Sequence, residues 1–124
     1  MTDRSILIVD DETSIRESLA EFLSDFDMQV KTAVNGEDAL ELVAEHPFQV
    51  LVADLRLPGM TGDALIPKAH QLQPGMRFLI HTGSIDYRLS NELLALGIAP
   101  EHVMLKPLSN LMILVDKVES LLKK

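Results

Sequence analysis

The 124-residue sequence contains no cysteine. Disulfides, thiolate nucleophiles and cysteine-based metal sites are thereby excluded, and the absence fits a reducing compartment. No apolar run approaches the roughly 20 residues that a membrane-spanning helix needs, and the N-terminal "MTDRS" has no signal-peptide apolar stretch. A cytoplasmic protein without membrane contact is therefore expected. Positive charge is also scarce: 11 Lys and Arg stand against 19 Asp and Glu, for a formal charge of -8. With no basic stripe to offset it, that charge would repel a phosphate backbone and argues against direct nucleic-acid binding. Cations or basic protein surfaces are the better match. Repeats, low-complexity tracts and Pro/Gly/Ser linkers are missing as well. The expectation is one domain over residues 1–124, with no output domain in this chain.

The composition, 47% apolar and 24% charged, is that of a folded chain. Apolar runs at Ile6–Val9, Val50–Ala53, Phe78–Ile80 and Val103–Leu105 are separated by segments with helical spacing, which predicts βα units and a parallel sheet. Residues 28–32, "MQVKT", alternate apolar and polar as an edge strand with one wetter face does. One helical stripe joins Ile15, Leu19, Phe22, Leu23 and Phe26, and another joins Leu108, Leu111, Val115, Val118 and Leu122. Asn35 is placed to cap a second helix, and Thr61-Gly62 and Ser84 to start a third and a fourth, with Gly97 ending the fourth. Pro67 falls near the first turn of the third helix. The pattern is (βα)5, a three-layer α/β domain with helices on both sheet faces.

In an open parallel sheet, ligands bind beyond the carboxyl ends of the strands. Asp10 and Asp11 follow the first run, Asp54 the Val50 run, Thr82-Gly83-Ser84 the Phe78 run, and Lys106-Pro107 the last. Singly these residues are ordinary: Asp10 and Asp11 could cap a helix, Asp54 could open a turn, and Lys106 could be a solvated lysine. Together they put three carboxylates, a hydroxyl and an ammonium on one edge. Carboxylates so crowded repel unless protons or a cation neutralise them, and a hard divalent ion with few protein ligands, Mg²⁺, meets that need. If a phosphoryl group moves to Asp54, Lys106 can pair with one of its oxygens, while the Thr82 hydroxyl and the Gly83 N–H donate to another.

The elements "VDDE", "ADLRLPGMTG", "HTG" and "LKP", in this order, resemble those of response-regulator receiver domains of two-component signalling. The resemblance runs from Ile6 through the last helix. It implies a flavodoxin-like fold with strand order 2-1-3-4-5, and Mg²⁺-dependent phosphorylation by a histidine kinase or histidine phosphotransfer protein, with an unknown output partner. Under it, Asp54 is the phosphoacceptor, Asp10, Asp11, Asp54 and the Arg56 carbonyl are the metal ligands, and Thr82 and Lys106 are the switch hydroxyl and phosphoryl-binding lysine. A cis Lys106–Pro107 bond is also implied. Leu57 replaces a usual Met, a volume-conserving change. Met104, two before Lys106, is read as standing where the family carries an aromatic residue that reports phosphorylation.

Such a domain switches rather than turns over substrate. Two alternatives remain. A haloacid-dehalogenase-like phosphatase also uses an aspartate nucleophile with Mg²⁺, but Asp54-Leu55-Arg56 lacks that class's second aspartate. A receiver-like binding module that is not phosphorylated would have no need of Asp54, Thr82 and Lys106 together. His46, His70, His81 and His102 lie in separate segments and form no evident metal site. The six methionines read as packing residues. Tyr87, Leu94 and Ile98 are read on the outer side of the fourth helix, as either a partner surface or ordinary exposed apolar residues.

Overall fold

The computed structural model describes residues 4–123. Its elements, in chain order, are β1 (Ser5–Val9), α1 (Thr13–Ser24), β2 (Gln29–Ala33), α2 (Gly36–Glu45), β3 (Val50–Ala53), α3 (Gly62–Leu72), β4 (Arg77–Thr82), α4 (Asn91–Ala95), β5 (Val103–Leu105) and α5 (Met112–Leu122). All strand pairs are parallel, in the order β2-β1-β3-β4-β5. The three central strands are covered on both faces. That is why they read as unbroken apolar runs, while β2 at the edge is mostly exposed.

Strand alternation divides the core into two layers. Leu7, Val9, Leu51, Ala53, Phe78 and Ile80 point to one side, where Ala39 and Val43 of α2, Leu65, Ile66 and Ala69 of α3, and Leu93 of α4 cover them. Ile6, Ile8, Val50, Val52 and Leu79 point to the other, against Leu19 and Leu23 of α1 and Leu114, Val115 and Val118 of α5. Truncating a fully buried leucine such as Leu51 or Leu79 to alanine removes about 2–5 kcal/mol at sites of this kind.

Local signals set several helix ends. Asn35 Oδ1 accepts from the Asp38 N–H at 2.7 Å, and the Thr61 hydroxyl accepts from the Ala64 N–H at 3.3 Å. Gly97, at φ +93°, follows α4 in the left-handed conformation expected of it.

Several expectations are corrected. The fourth helix does not start at Ser84. Its cap is Ser90, whose hydroxyl accepts from the Leu93 N–H at 3.2 Å, and Ser84 belongs to a turn whose N–H is bound back to the Thr82 hydroxyl. Pro67 is the sixth residue of α3 rather than part of its first turn. Phe26 lies beyond the end of α1, and Leu108 and Leu111 precede α5, yet all three still pack on the α1/α5 layer.

Met104 also moves. It is buried in the α1/α5 layer, opposite His81 in the β4–β5 ladder. Val103 and Leu105 are the β5 side chains on the α4 side. A residue on the far face of the strand cannot pass a signal from Thr82 towards α4, so Met104 is not the reporting position.

Candidate functional site

The site is built from the chain immediately beyond β1, β3, β4 and β5. Asp10 and Asp54 continue β1 and β3: the Asp54 N–H donates to the Val9 carbonyl at 3.0 Å, and the Asp10 N–H to the Ala33 carbonyl at 3.2 Å. Both side chains are buried at the sheet edge. The Lys106 N–H donates to the Thr82 carbonyl at 2.7 Å, which fixes the lysine beside them. Its ammonium then lies between the two carboxylates, 2.9 Å from Asp10 Oδ2 and 3.0 Å from Asp54 Oδ2.

Each carboxylate also turns its own loop. Asp10 Oδ1 accepts from the Glu12 N–H at 2.9 Å, and Asp54 Oδ1 accepts from the Arg56 N–H at 3.2 Å. The Asp10 carbonyl accepts from the Arg16 guanidinium at 2.8 Å. Gly62, the first residue of α3, lies so close to Asp54 that an added Cβ would be 2.5 Å from the Asp54 carbonyl oxygen. Only glycine allows that approach.

Among the described residues, Asp10, Glu12 and Asp54 can bring one carboxylate oxygen each within 4.8 Å of one another. Glu12 is a member of this group that the sequence reading does not place at the site. It lies 3.6 Å from the Lys106 ammonium, whereas Asp11 is exposed and outside the group. The turn closed by the Asp10–Glu12 bond brings Glu12 round, and its longer side chain reaches back over the site. An all-oxygen donor set suits a hard divalent cation such as Mg²⁺. Arg56 contributes its backbone N–H to Asp54, and its side chain is exposed. The peptide bond between Lys106 and Pro107 is cis.

Burial works against the charged form of Lys106, but the hydrogen bonds and charges of Asp10 and Asp54 outweigh it, and its pKa is raised. Thr82 is buried on the face opposite His81, and its hydroxyl accepts from the Ser84 N–H at 3.1 Å. His81 was set aside in the sequence, and no histidine joins the carboxylate group. Yet its ring is only 4% exposed, and neither nitrogen has a hydrogen-bond partner. Burial, then the nearby Lys106 charge, lower its pKa to about 4 against the weaker pull of Asp10 and Asp54. A polar residue directly after the apolar run, still within the buried strand β4, was the available signal.

The profile of the response regulator receiver domain matches residues 6–118. The chain belongs to the response regulator receiver domain family. It is 37% identical over 82 residues to a response regulator receiver protein of Anaeromyxobacter, covering 66% of this chain and 34% of that one. It is 36% identical over 81 residues to the DNA-binding transcriptional regulator NtrC of Escherichia coli, covering 65% and 17%. This receiver domain thus spans about a third of the length of one relative and about a sixth of the other. Among solved structures, a CheY-like receiver domain from Methanospirillum hungatei superposes with a TM-score of 0.85 at 31% identity, covering 98% of this chain and 95% of that one. The response regulator TrrA of Thermotoga maritima, in complex with Mg²⁺-BeF, gives 0.82 at 29% identity, covering 98% and 99%. The domain is thereby placed in two-component signalling. No helix of the described residues is long and apolar enough to cross a membrane.

Proposed function

We propose that this receiver domain is a phosphoryl-accepting switch, in which Asp54 takes a phosphoryl group from a phosphohistidine of a histidine kinase or histidine phosphotransfer protein. The observation that carries the reading is Lys106, whose ammonium bridges Asp54 and Asp10 at the mouth of the sheet. An Asp54 carboxylate oxygen attacks phosphorus, an O–P bond forms, and the N–P bond to the donor imidazole breaks, its electron pair leaving on nitrogen. Lys106 is placed to balance charge on the transferring group, and the Thr82 hydroxyl and Gly83 N–H lie on the loop that can turn towards it.

Mg²⁺ fits the donor set, with Asp10, Asp54 and the Arg56 carbonyl as ligands and Asp11 and Glu12 as competing candidates for the remaining carboxylate. When bound, it supplies the positive charge that lets an anionic phosphoryl group approach anionic oxygens. Hydrolysis of the acyl phosphate would return Asp54 to its free form, so the domain acts on itself rather than turning over a substrate. The output partner is left open, because the relatives are longer proteins and one of them is a DNA-binding regulator.

Mass spectrometry after incubation with Mg²⁺ and a small acyl-phosphate donor tests the reading. The wild type gains one phosphoryl mass and Asp54→Asn gains none. Equal modification of both would reject the assignment.

A further inference from the structure

Asp54 and Thr82 each lead into a segment that ends on the same hydrogen bond. The chain leaving Asp54 passes through residues 55–61 into α3, whose first residue, Gly62, rests against the Asp54 backbone and whose second is Asp63. The chain leaving Thr82 forms residues 83–90, which build no helix before the five-residue α4 and which carry Tyr87. The Tyr87 hydroxyl donates to Asp63 Oδ1 at 2.7 Å. A ring is closed, from Asp54 along one loop to Asp63, across to Tyr87, and back along the other loop to Thr82.

Few hydrogen bonds hold residues 83–89, although Leu89 also packs on the α2/α3/α4 layer and Ser90 caps α4. The Ser84 N–H reaches the Thr82 hydroxyl, the Tyr87 N–H reaches the Ser84 carbonyl at a long 3.4 Å, and Ile85 is 78% exposed. Tyr87 is the anchor: its ring is half-buried against the α2/α3/α4 core layer. Its acceptor is well chosen, because Asp63 lies in the first turn of α3, where the helix dipole favours a charged carboxylate. Burial, and then Asp63, push the Tyr87 phenol well above its ordinary range, so it remains a donor.

We propose that the Tyr87–Asp63 hydrogen bond is a latch that holds residues 83–90 in the resting arrangement and sets the threshold for switching at Asp54. The inference rests on the reading of Asp54 as phosphoacceptor and adds a regulatory element to it. Turning the Thr82 hydroxyl towards a phosphoryl oxygen takes its oxygen from the Ser84 N–H and pulls the segment that bears Tyr87. Asp63 cannot follow, because α3 is seated on Asp54. Latch and phosphoryl contacts therefore compete, and opening the latch moves one wall of the groove formed by Ile85, Tyr87, Leu89, Leu94, Val103 and Leu105.

Tyr87→Phe deletes the hydroxyl and keeps the ring, and Asp63→Ala removes the acceptor. Without any phosphoryl donor, amide hydrogens of residues 84–93 should exchange about tenfold faster in Tyr87→Phe, the scale of a hydrogen bond to a charged group at a partly exposed site. Asp63→Ala should match it, and the double variant should go no further than either single one. With Mg²⁺ and a small acyl phosphate, Tyr87→Phe should be phosphorylated several-fold faster than wild type, because less of it rests in the latched state. Unchanged exchange, or additive effects in the double variant, overturns the latch. Faster exchange with an unchanged phosphorylation rate overturns its control of the switch. A wild type that gains no phosphoryl mass overturns the reading of Asp54 instead, and the exchange arm still decides whether the latch exists.

Discussion

His81 offers a test of the electrostatics in which no phosphoryl chemistry takes part. In the unfolded chain its imidazole titrates near the ordinary 6.5, and in the folded protein burial and Lys106 lower this to about 4. The folded-state value is depressed for a base, so the unfolded state binds more protons between those two values and stability falls as pH drops through that window. It is fully present above about pH 7. At pH 5 the unfolded imidazole is nearly all protonated and the folded one nearly all neutral, which costs the native state about 2 kcal/mol. For a domain of this size that corresponds to about 8 °C in melting temperature.

Carboxylates also begin to titrate near pH 5, so the assay is a difference: thermal unfolding of wild type and His81→Leu, each at pH 7.5 and pH 5, with chelator present. Leucine has a similar volume and no nitrogens to leave unpartnered in the α1/α5 layer, so at pH 7.5 it should be neutral or stabilising. Between the two pH values the wild type should lose about 8 °C more than the variant. Parallel losses in the two proteins would refute the assignment, as would an imidazole that titrates above pH 6 by NMR.

Three further outcomes are expected. Lys106→Met leaves the buried Asp10 and Asp54 facing each other without their shared ammonium and should cost about 3–5 kcal/mol in urea unfolding at pH 7; a loss below 1 kcal/mol would show that the bridge is not what keeps the pair compatible. Mg²⁺ at ten times its dissociation constant should stabilise the wild type by about 1.4 kcal/mol, and comparing this gain in Asp11→Asn and Glu12→Gln identifies the carboxylate that joins Asp10 and Asp54, whereas an undiminished gain in both variants contradicts either as a ligand. Beryllofluoride with Mg²⁺ should shift the amides of residues 85–98 and 103–105; Met104→Ala should destabilise by about 2–3 kcal/mol yet leave that response intact, while Val103→Ala should alter it, and the reverse would restore Met104 as the reporting side chain.

The strands were legible because a buried parallel sheet demands uninterrupted apolar runs, and each run lies within two residues of its strand. The fourth helix was not. Ser84 and Ser90 are both competent caps, and the residues between them include apolar side chains, so local preference does not choose. The choice is made by Tyr87 bonding to Asp63 and by Leu93 being buried, and both depend on α3 being in place. Met104 was misread for a related reason. In Val103-Met104-Leu105 all three residues are apolar, so the run carries no alternation to say which one faces which layer. The phase comes from the neighbouring strand, where His81 pairs with Met104 and Thr82 with Leu105.

The site was legible as chemistry before it was legible as geometry. Three carboxylates at strand ends imply neutralisation, and the sequence pointed to a cation as its source. In the folded protein part of the neutralisation is internal. Asp10, Glu12 and Asp54 contribute three negative charges and Lys106 returns one positive, leaving two negative charges around one point. That remainder matches a divalent ion. A phosphoryl group on Asp54, as proposed, would replace one negative charge with nearly two, raising the remainder towards three and making loss of Lys106 or of a bound cation more costly than at rest. In the resting protein the Lys106 ammonium already lies 3.0 Å from Asp54 Oδ2, the side chain proposed as acceptor. Under that proposal the ammonium would only have to follow the oxygen as the O–P bond forms, with no reorganisation from solvent.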